Sequence, residues 1–299
     1  MINRVTQQTI QRNTLANLQT NLGRMADLQA RMSSGKTITK PSDDPTATGR
    51  TMAMRADQAA AAQASRNADD GIAWLGTADN AMQASIRALG RVRDLTVQAS
   101  SSGSVGAASR EAIATEIDGI RDSLLNLANT TIQGRAVFAG TTGDGVAFDN
   151  GASTTPYAWH GTTGASVERR LSPDATVRVD SDGVAAFGQG ATSVFALLDA
   201  ISTDLRGTPE LTGRLSAIDT KLDGMLSQVA NVGIRYKQVT DAQSLITAKI
   251  QDVTSNISGI EDIDLAETIM ELKMQEVAYQ GALGAGARVL QPTLMDFLR

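Results

Sequence analysis

The sequence contains no cysteine and one histidine, and only 10 of its 299 residues are aromatic. The absence of cysteine excludes disulfides and thiolate metal sites. His160 cannot build a zinc site or a catalytic triad alone, so we expect a surface or turn residue. With so few rings, the apolar side chains are mainly Ala, Leu, Ile, Val and Met, a mixture typical of helices packed along narrow seams.

Long apolar runs are also missing. No segment is long and apolar enough to span a membrane, and residues 1–11 lack the apolar core of a cleaved signal peptide. We therefore expect no membrane segment and no secretion through a cleaved signal. A net charge of -5 argues against nucleic acid as a partner.

The charge is unevenly distributed along the chain. Residues 1–40 carry six basic side chains against Asp27, for a balance of +5. Residues 261–299 carry seven acids against three bases, for -4. The two ends could attract each other within one subunit or between subunits. The alternative is that they form two unrelated solvated faces.

Apolar residues at alternating spacings of four and three dominate residues 211–260. This spacing predicts one continuous helix with a coiled-coil stripe, roughly 75 Å long. Such a stripe must be covered by other segments, because it is not stable when exposed to water. The stripe consists of Leu211, Leu215, Ile218, Leu222, Met225, Val229, Val232, Tyr236, Val239, Gln243, Ile246, Ile250, Val253, Ile257 and Ile260, in which only Gln243 is polar.

Similar patterns predict the helices that could cover it. Asp44 followed by Pro45 indicates an N-cap and a proline at the first helical position. The acidic pair at residues 43–44 is therefore interpreted as capping rather than as a metal or acid site. The predicted helices cover residues 13–34, 46–99, 110–133 and 192–205, with a last one from Asp262 towards Pro292.

The composition changes at Gly134. Residues 134–190 hold ten of the 27 glycines, and residues 138–195 hold six of the ten aromatic residues. Residues 176–180 alternate as a half-buried strand does. We predict a mainly α fold, an elongated discontinuous helical and coiled-coil rod from both termini, with a small β-rich insert. The predicted domains are a terminal coiled-coil assembly domain (1–40 and 262–299), a helical rod domain (41–139 and 192–261) and a β-rich outer domain (140–191).

No motif predicts chemistry. Residues 69–71, Asp-Asp-Gly, lack the spaced ligands and terminal Glu of a calcium loop. Gly281, Gly284 and Gly286 are in the wrong order for a dinucleotide fingerprint and follow no strand. The sequence therefore predicts no catalytic, cofactor-binding or metal site, and no enzymatic activity.

The two ends carry apolar side chains that a monomer would leave exposed, which usually indicates a partner. We expect the stripes in residues 15–32 and 265–298 to remain largely unpaired in the monomer and to become buried on assembly. The predicted self-assembly and partner interface consists of Leu15, Leu18, Leu22, Met25, Leu283, Leu290, Leu294 and Phe297.

Several segments resemble the flagellin superfamily. They are LQARMSSGK at residues 28–36 with PSDDP at 41–45, SRNADDG at 65–71, RVRDLTVQAS at 91–100, and the terminal residues 290–299. Within the superfamily, LANT at residues 127–130 followed by GRAVFAGT at 134–141 resembles the hook–filament junction proteins. Ala136 departs from that pattern, where the residue is often aromatic.

This resemblance implies a structural adaptor that joins the hook to the flagellin filament and has no cofactor. It implies a homo-oligomeric ring or tube, with hook-associated protein 1, flagellin and a cytoplasmic export chaperone as partners. It also implies an extracellular place in the bacterial flagellum after type III export without a cleaved signal. Three alternatives remain open: a flagellin filament subunit, an enzyme with a catalytic insert, and a free-standing coiled-coil tether or signalling rod.

Overall fold

The computed structural model describes residues 2–101, 106–143, 145–207 and 211–290. Side chains within these ranges are described except for residues 2–8, 10, 11, 101, 212 and 288–290. The described chain is mostly helical, with two small antiparallel sheets, which confirms the predicted mainly α class with a small β-containing insert. None of the helices in these ranges is long and apolar enough to cross a membrane.

The elements follow in the order α1 (Ile2–Ser34), α2 (Pro45–Ser101), α3 (Ala107–Ala128), β1 (Thr131–Ile132), β2 (Arg135–Ala136), β3 (Glu168–Ser172), β4 (Ala175–Arg178), α4 (Gly183–Phe187), α5 (Val194–Arg206), α6 (Thr212–Glu261) and α7 (Leu265–Leu290). The chain forms two compact units. The first unit contains residues 1–59 and 250–299, and the second contains residues 60–249.

Helix α6 confirms the helix predicted from the heptad stripe. In the second unit, every seventh residue of the stripe is buried: Ile218, Met225, Val232 and Val239 are at most 1% exposed. The intervening positions are half-buried, and Tyr236 is 40% exposed. Every second position of the stripe is thus buried in the core, while the positions between them lie at the edge of the core.

Aspartate side chains cap the starts of α2 and α7, and a glycine follows the end of α1. Asp44 Oδ1 accepts hydrogen bonds from the backbone N–H groups of Thr46 and Ala47, both at 2.9 Å, which confirms the N-cap of α2. Asp264 caps α7 in the same way through Ala266 and Glu267. Gly35 follows α1 with φ +69°, a conformation that favours glycine.

Helix α3 is shorter than predicted, because it ends at Ala128 rather than at residue 133. Asn129 caps its end, and β1 and β2 then form a tight hairpin that pairs Thr131 with Ala136. Gln133 and Gly134 take φ +51° and +78° at the turn, which a helix does not allow. Turn geometry therefore overrides the helical pattern of residues 129–133.

The insert is built around aromatic side chains. Phe187 packs edge-on against Phe138 at a ring-centroid distance of 5.2 Å, and it also contacts Phe148 and Phe195. The indole N–H of Trp159 donates to the carbonyl oxygen of Phe138 at 2.8 Å. Strands β3 and β4 form an antiparallel hairpin beside this cluster, which includes most of the aromatic side chains that the sequence concentrates here.

Candidate assembly surface

Helices α1 and α7 pack against each other in the first unit, and they run antiparallel. A Cβ placed on Gly286 would lie 3.2 Å from Cγ2 of Thr14, so the two backbones approach closely at that end. Further along the pair, Gln275 Nε2 donates to the carbonyl oxygen of Asn21 at 3.3 Å. The two ends of the described chain therefore form one helical pair.

The seam of this pair includes two of the residues predicted for assembly. Leu18 and Met25 are half-buried, and Leu272 is 9% exposed. Within the described residues, these positions are thus paired inside one chain rather than left open. The three–four spacing of α1 serves two adjacent stripes, and only one of them can face α7.

The second stripe stays exposed. Leu15 is 58% exposed, Leu22 is 48% exposed and Leu283 is 44% exposed. Leu265 and Ile269 lie on the same side of α7 as Leu283. In an antiparallel pair, residues at the same angle from the seam on each helix lie on the same side of the pair, so these three residues share a side with Leu15 and Leu22. We call Leu15, Leu22, Leu265, Ile269 and Leu283 the outer face. The side chain of Leu290, and all of Leu294 and Phe297, lie outside the described residues.

A further apolar row, not recognised from the sequence, follows α7 outside both its seam with α1 and the outer face. Met270, Met274 and Val277 are 61%, 66% and 69% exposed. Their spacing of four and three was visible in the sequence, but the neighbouring stripe that contains Leu272 and faces α1 repeats in the same way, so the sequence did not separate the two. Large exposed apolar side chains at helical spacing usually mark an interaction surface.

A groove lined by both charged and apolar side chains lies on the opposite side of the pair from the outer face. It has a volume of about 370 Å³ and is lined by Arg24, Asp27, Leu28, Arg31, Glu271, Met274 and Gln275. Basic residues of α1 and an acidic residue of α7 thus face the same groove. The groove therefore brings charges of both signs together, in contrast to the uncharged outer face.

A buried carboxylate lies at the end of the helical pair, where α1 ends and α7 begins. Glu261 has a side chain 7% exposed, and its Oε2 lies 2.8 Å from Lys36 Nζ and 2.7 Å from Arg55 Nη2. The hydrogen bond from Lys36, followed by the charges of Arg55 and Lys36, lowers the pKa of this carboxyl although burial opposes the shift. The opposite charges predicted at the two ends therefore meet at this point within one subunit.

The surroundings of His160, the one histidine of the sequence, differ from those of a hydrolase triad. His160 is exposed, and its Nε2 lies 2.8 Å from Asp149 Oδ1, an acidic partner that the sequence did not reveal. Ser153 donates to the same carboxylate rather than to the imidazole, so the Ser–His contact of a hydrolase triad is missing. No group of three or more His, Cys, Asp or Glu side chains in the described ranges could hold a metal ion.

Long helices from the two ends of the sequence pair with each other and expose apolar rows, which defines a class of mainly helical proteins with paired terminal helices. The family model described as the bacterial flagellin N-terminal helical region matches residues 5–142, and the model of the C-terminal helical region matches residues 215–298. The chain belongs to the flagellin superfamily, which confirms the resemblance found in the sequence.

Some curated relatives match along nearly the whole chain. Flagellar hook-associated protein 3 of Salmonella typhimurium is 24% identical over 93% of this chain and 94% of its own length. Flagellin of Bacillus subtilis is also 24% identical, over 96% and 97%. The crystal structure of flagellar hook associated protein-3 from Legionella pneumophila superposes with a TM-score of 0.62 at 12% identity, covering 70% of this chain and 98% of that one. At this identity the superposition shows a common fold.

Proposed function

We propose that the chain is the junction subunit between the hook and the filament of a bacterial flagellum, and that it assembles through its paired terminal helices. The observation that carries this proposal is the outer face, whose leucines and isoleucine stay 41–58% exposed although both helices already have a partner. Burying five such side chains would contribute several kcal/mol, because a fully buried Leu or Ile gains about 1.5–3 kcal/mol.

The matched relatives supply the flagellar context. Membership of a family of structural flagellar proteins supports an assembly role rather than an enzymatic one. Our proposal further includes a homo-oligomeric ring or tube, hook-associated protein 1 on the hook side, flagellin on the filament side and an export chaperone before assembly. It places the assembled protein outside the cell.

The domain division is part of the same proposal. Residues 1–40 and 262–299 would form the assembly domain, residues 41–139 and 192–261 the rod, and residues 140–191 the outer insert. The pairing of α1 with α7 supports the first of these assignments. The change in composition at Gly134 supports the third, although the aromatic cluster of this region shares one continuous core with the long helices.

A second candidate is the filament subunit itself, because the Bacillus subtilis flagellin matches this chain over as much of its length as the junction protein does. The resemblance of residues 134–141 to the junction proteins favours the first candidate. The two functions differ in what a bound subunit permits: a filament subunit adds further copies of itself, whereas a junction subunit stops after a defined layer.

The test is seeded assembly of the purified full-length chain. We expect the chain to bind the ends of isolated hooks that carry hook-associated protein 1, to saturate there, and to let added flagellin elongate. Electron microscopy with labelled chain measures the length of the added segment. Continuous elongation by this chain alone would identify a filament subunit, and a failure to bind any hook end would contradict the adaptor function.

A further inference from the structure

The helical pair ends where two helix breaks lie side by side. Helix α1 ends at Ser34, and α6 ends at Glu261 shortly before α7 begins. The N–H of Thr37 donates to the carbonyl oxygen of Glu261 at 2.6 Å, and the N–H of Ile263 donates to that of Gly35 at 3.1 Å. Two hydrogen bonds in opposite directions fix the axial position of one segment against the other.

The Glu261 carboxylate adds a third segment to this junction. Lys36 comes from the end of α1, while Arg55 and the buried Thr51 come from the first turns of α2. The Thr51 hydroxyl donates to the carbonyl oxygen of Thr48 at 3.1 Å, and its proximity to the carboxylate makes a small contribution to the lowered pKa of Glu261. The two cations neutralise the charge of the buried carboxylate. If that negative charge were removed, both cations would lose their anionic partner.

The side chains in the seam between α1 and α7 specify the axial register of the two helices only weakly. Met25 and Met32 are unbranched and adapt to different neighbours, and Thr14 and Gly286 are small. A seam of this kind tolerates a slip of one turn, about 5.4 Å, better than a seam of interlocking large side chains. Such a slip would move Leu283 away from the level of Leu15 and break the continuity of the outer face.

We infer that Glu261 is a positioning residue for assembly: together with Lys36 and Arg55 it sets the axial register of α1 against α7, and so aligns the two halves of the outer face. This inference rests on the proposed function for its consequence in assembly. Its structural part, the register, concerns the single chain and is measured separately.

The experiment uses the absence of cysteine to place spin labels at two chosen sites of the full-length chain. Gln29→Cys on α1 and Gln280→Cys on α7 are exposed positions, staggered by roughly 15 Å along the helix axes. Double electron–electron resonance then measures the distance between the labels in the monomer. We expect a narrow distribution in the parent chain and in Lys36→Arg, which keeps the cation.

Glu261→Gln removes the charge at constant shape, and we expect its distance distribution to broaden and shift by several ångström, about one helical turn of slip. Glu267→Gln is the matched control, because it changes the same residue type at an exposed site of α7 without an ion pair among the described residues. Lys36→Gln, which leaves Arg55 on the carboxylate, should broaden the distribution less. It also provides the decisive comparison if circular dichroism shows that Glu261→Gln has lost helix.

Unchanged distances in both Glu261→Gln and Lys36→Gln would overturn the inference. The same variants without labels are then tested for binding to hook ends, where we expect Glu261→Gln to lose at least tenfold in affinity while Glu267→Gln binds normally. Shifted distances with normal binding would overturn the link between register and assembly. If the unmodified chain does not bind, the proposed function fails, while the distances still decide the register.

Discussion

Replacing Asn129 by alanine tests how the end of α3 is connected to the insert. Its side-chain Oδ1 accepts the backbone N–H groups of Ala147 and Phe148, both at 2.8 Å, and its Nδ2 donates to the carbonyl oxygen of Phe148 at 3.0 Å. Ala147 and Phe148 are at most 1% exposed, so water cannot readily replace the lost partner. One side chain therefore satisfies three backbone groups in the interior.

The expected loss follows from the two orphaned amides. Each buried group left without a partner costs about 1–3 kcal/mol, so the loss of both partners in Asn129→Ala should lower the free energy of unfolding of the second unit by about 2–6 kcal/mol. Both tryptophans of the chain, Trp74 and Trp159, belong to this unit. Urea unfolding followed by tryptophan fluorescence therefore reports on it directly.

Asn126→Ala is the matched control, because Asn126 lies on the exposed side of the same helix and the substitution is chemically identical. We expect it to change stability by no more than about 0.5 kcal/mol. Equal midpoints for Asn129→Ala and Asn126→Ala, at the same slope, would refute the argument that the Asn129 side chain fastens the insert.

Three further outcomes are expected. The pKa of Glu261 is lowered in the folded chain, so its stabilising contribution is present above the ordinary unfolded value, about 4.3, and is lost as the pH falls through the lower folded value; thermal unfolding followed by circular dichroism should show this loss in the parent chain but less of it in Glu261→Gln. Gly183→Ala would place a Cβ 2.4 Å from the carbonyl oxygen of Phe138 and should destabilise by about 1–3 kcal/mol in urea unfolding, whereas Gly143→Ala, which meets nothing within 4 Å, should not. Phe187→Ala opens a cavity beside three rings and should cost about 3–5 kcal/mol in the same assay, whereas an effect below about 1 kcal/mol would contradict the role of the aromatic cluster in the core of the second unit.

The long helices could be predicted because their signal is local and repeated. In α6 the heptad spacing persists through the whole helix, and Asp44 with Pro45 marks the start of α2 within two residues. The end of α3 could not be placed, because Gln133 and Gly134 adopt a turn that competes with a helical pattern of similar strength.

The candidate surface was predictable only in part. The sequence identifies the apolar stripes of both ends, but it does not say which stripe faces α7, so Leu18 and Leu15 could not be distinguished. The ion pair between Lys36 and Glu261 joins residues 225 positions apart, and no local pattern encodes such a contact. Long-range pairing decides which apolar residues remain available to a partner.

The central claim, that the outer face drives assembly, is tested most directly by binding of full-length variants to hook ends that carry hook-associated protein 1. The perturbation is Leu15→Asp together with Leu22→Asp, and the control is Thr20→Asp, an exposed position on the other side of α1. We predict that the double variant loses binding by at least a hundredfold with unchanged helix content, while Thr20→Asp binds as the parent chain does. Normal binding of the double variant would contradict the account.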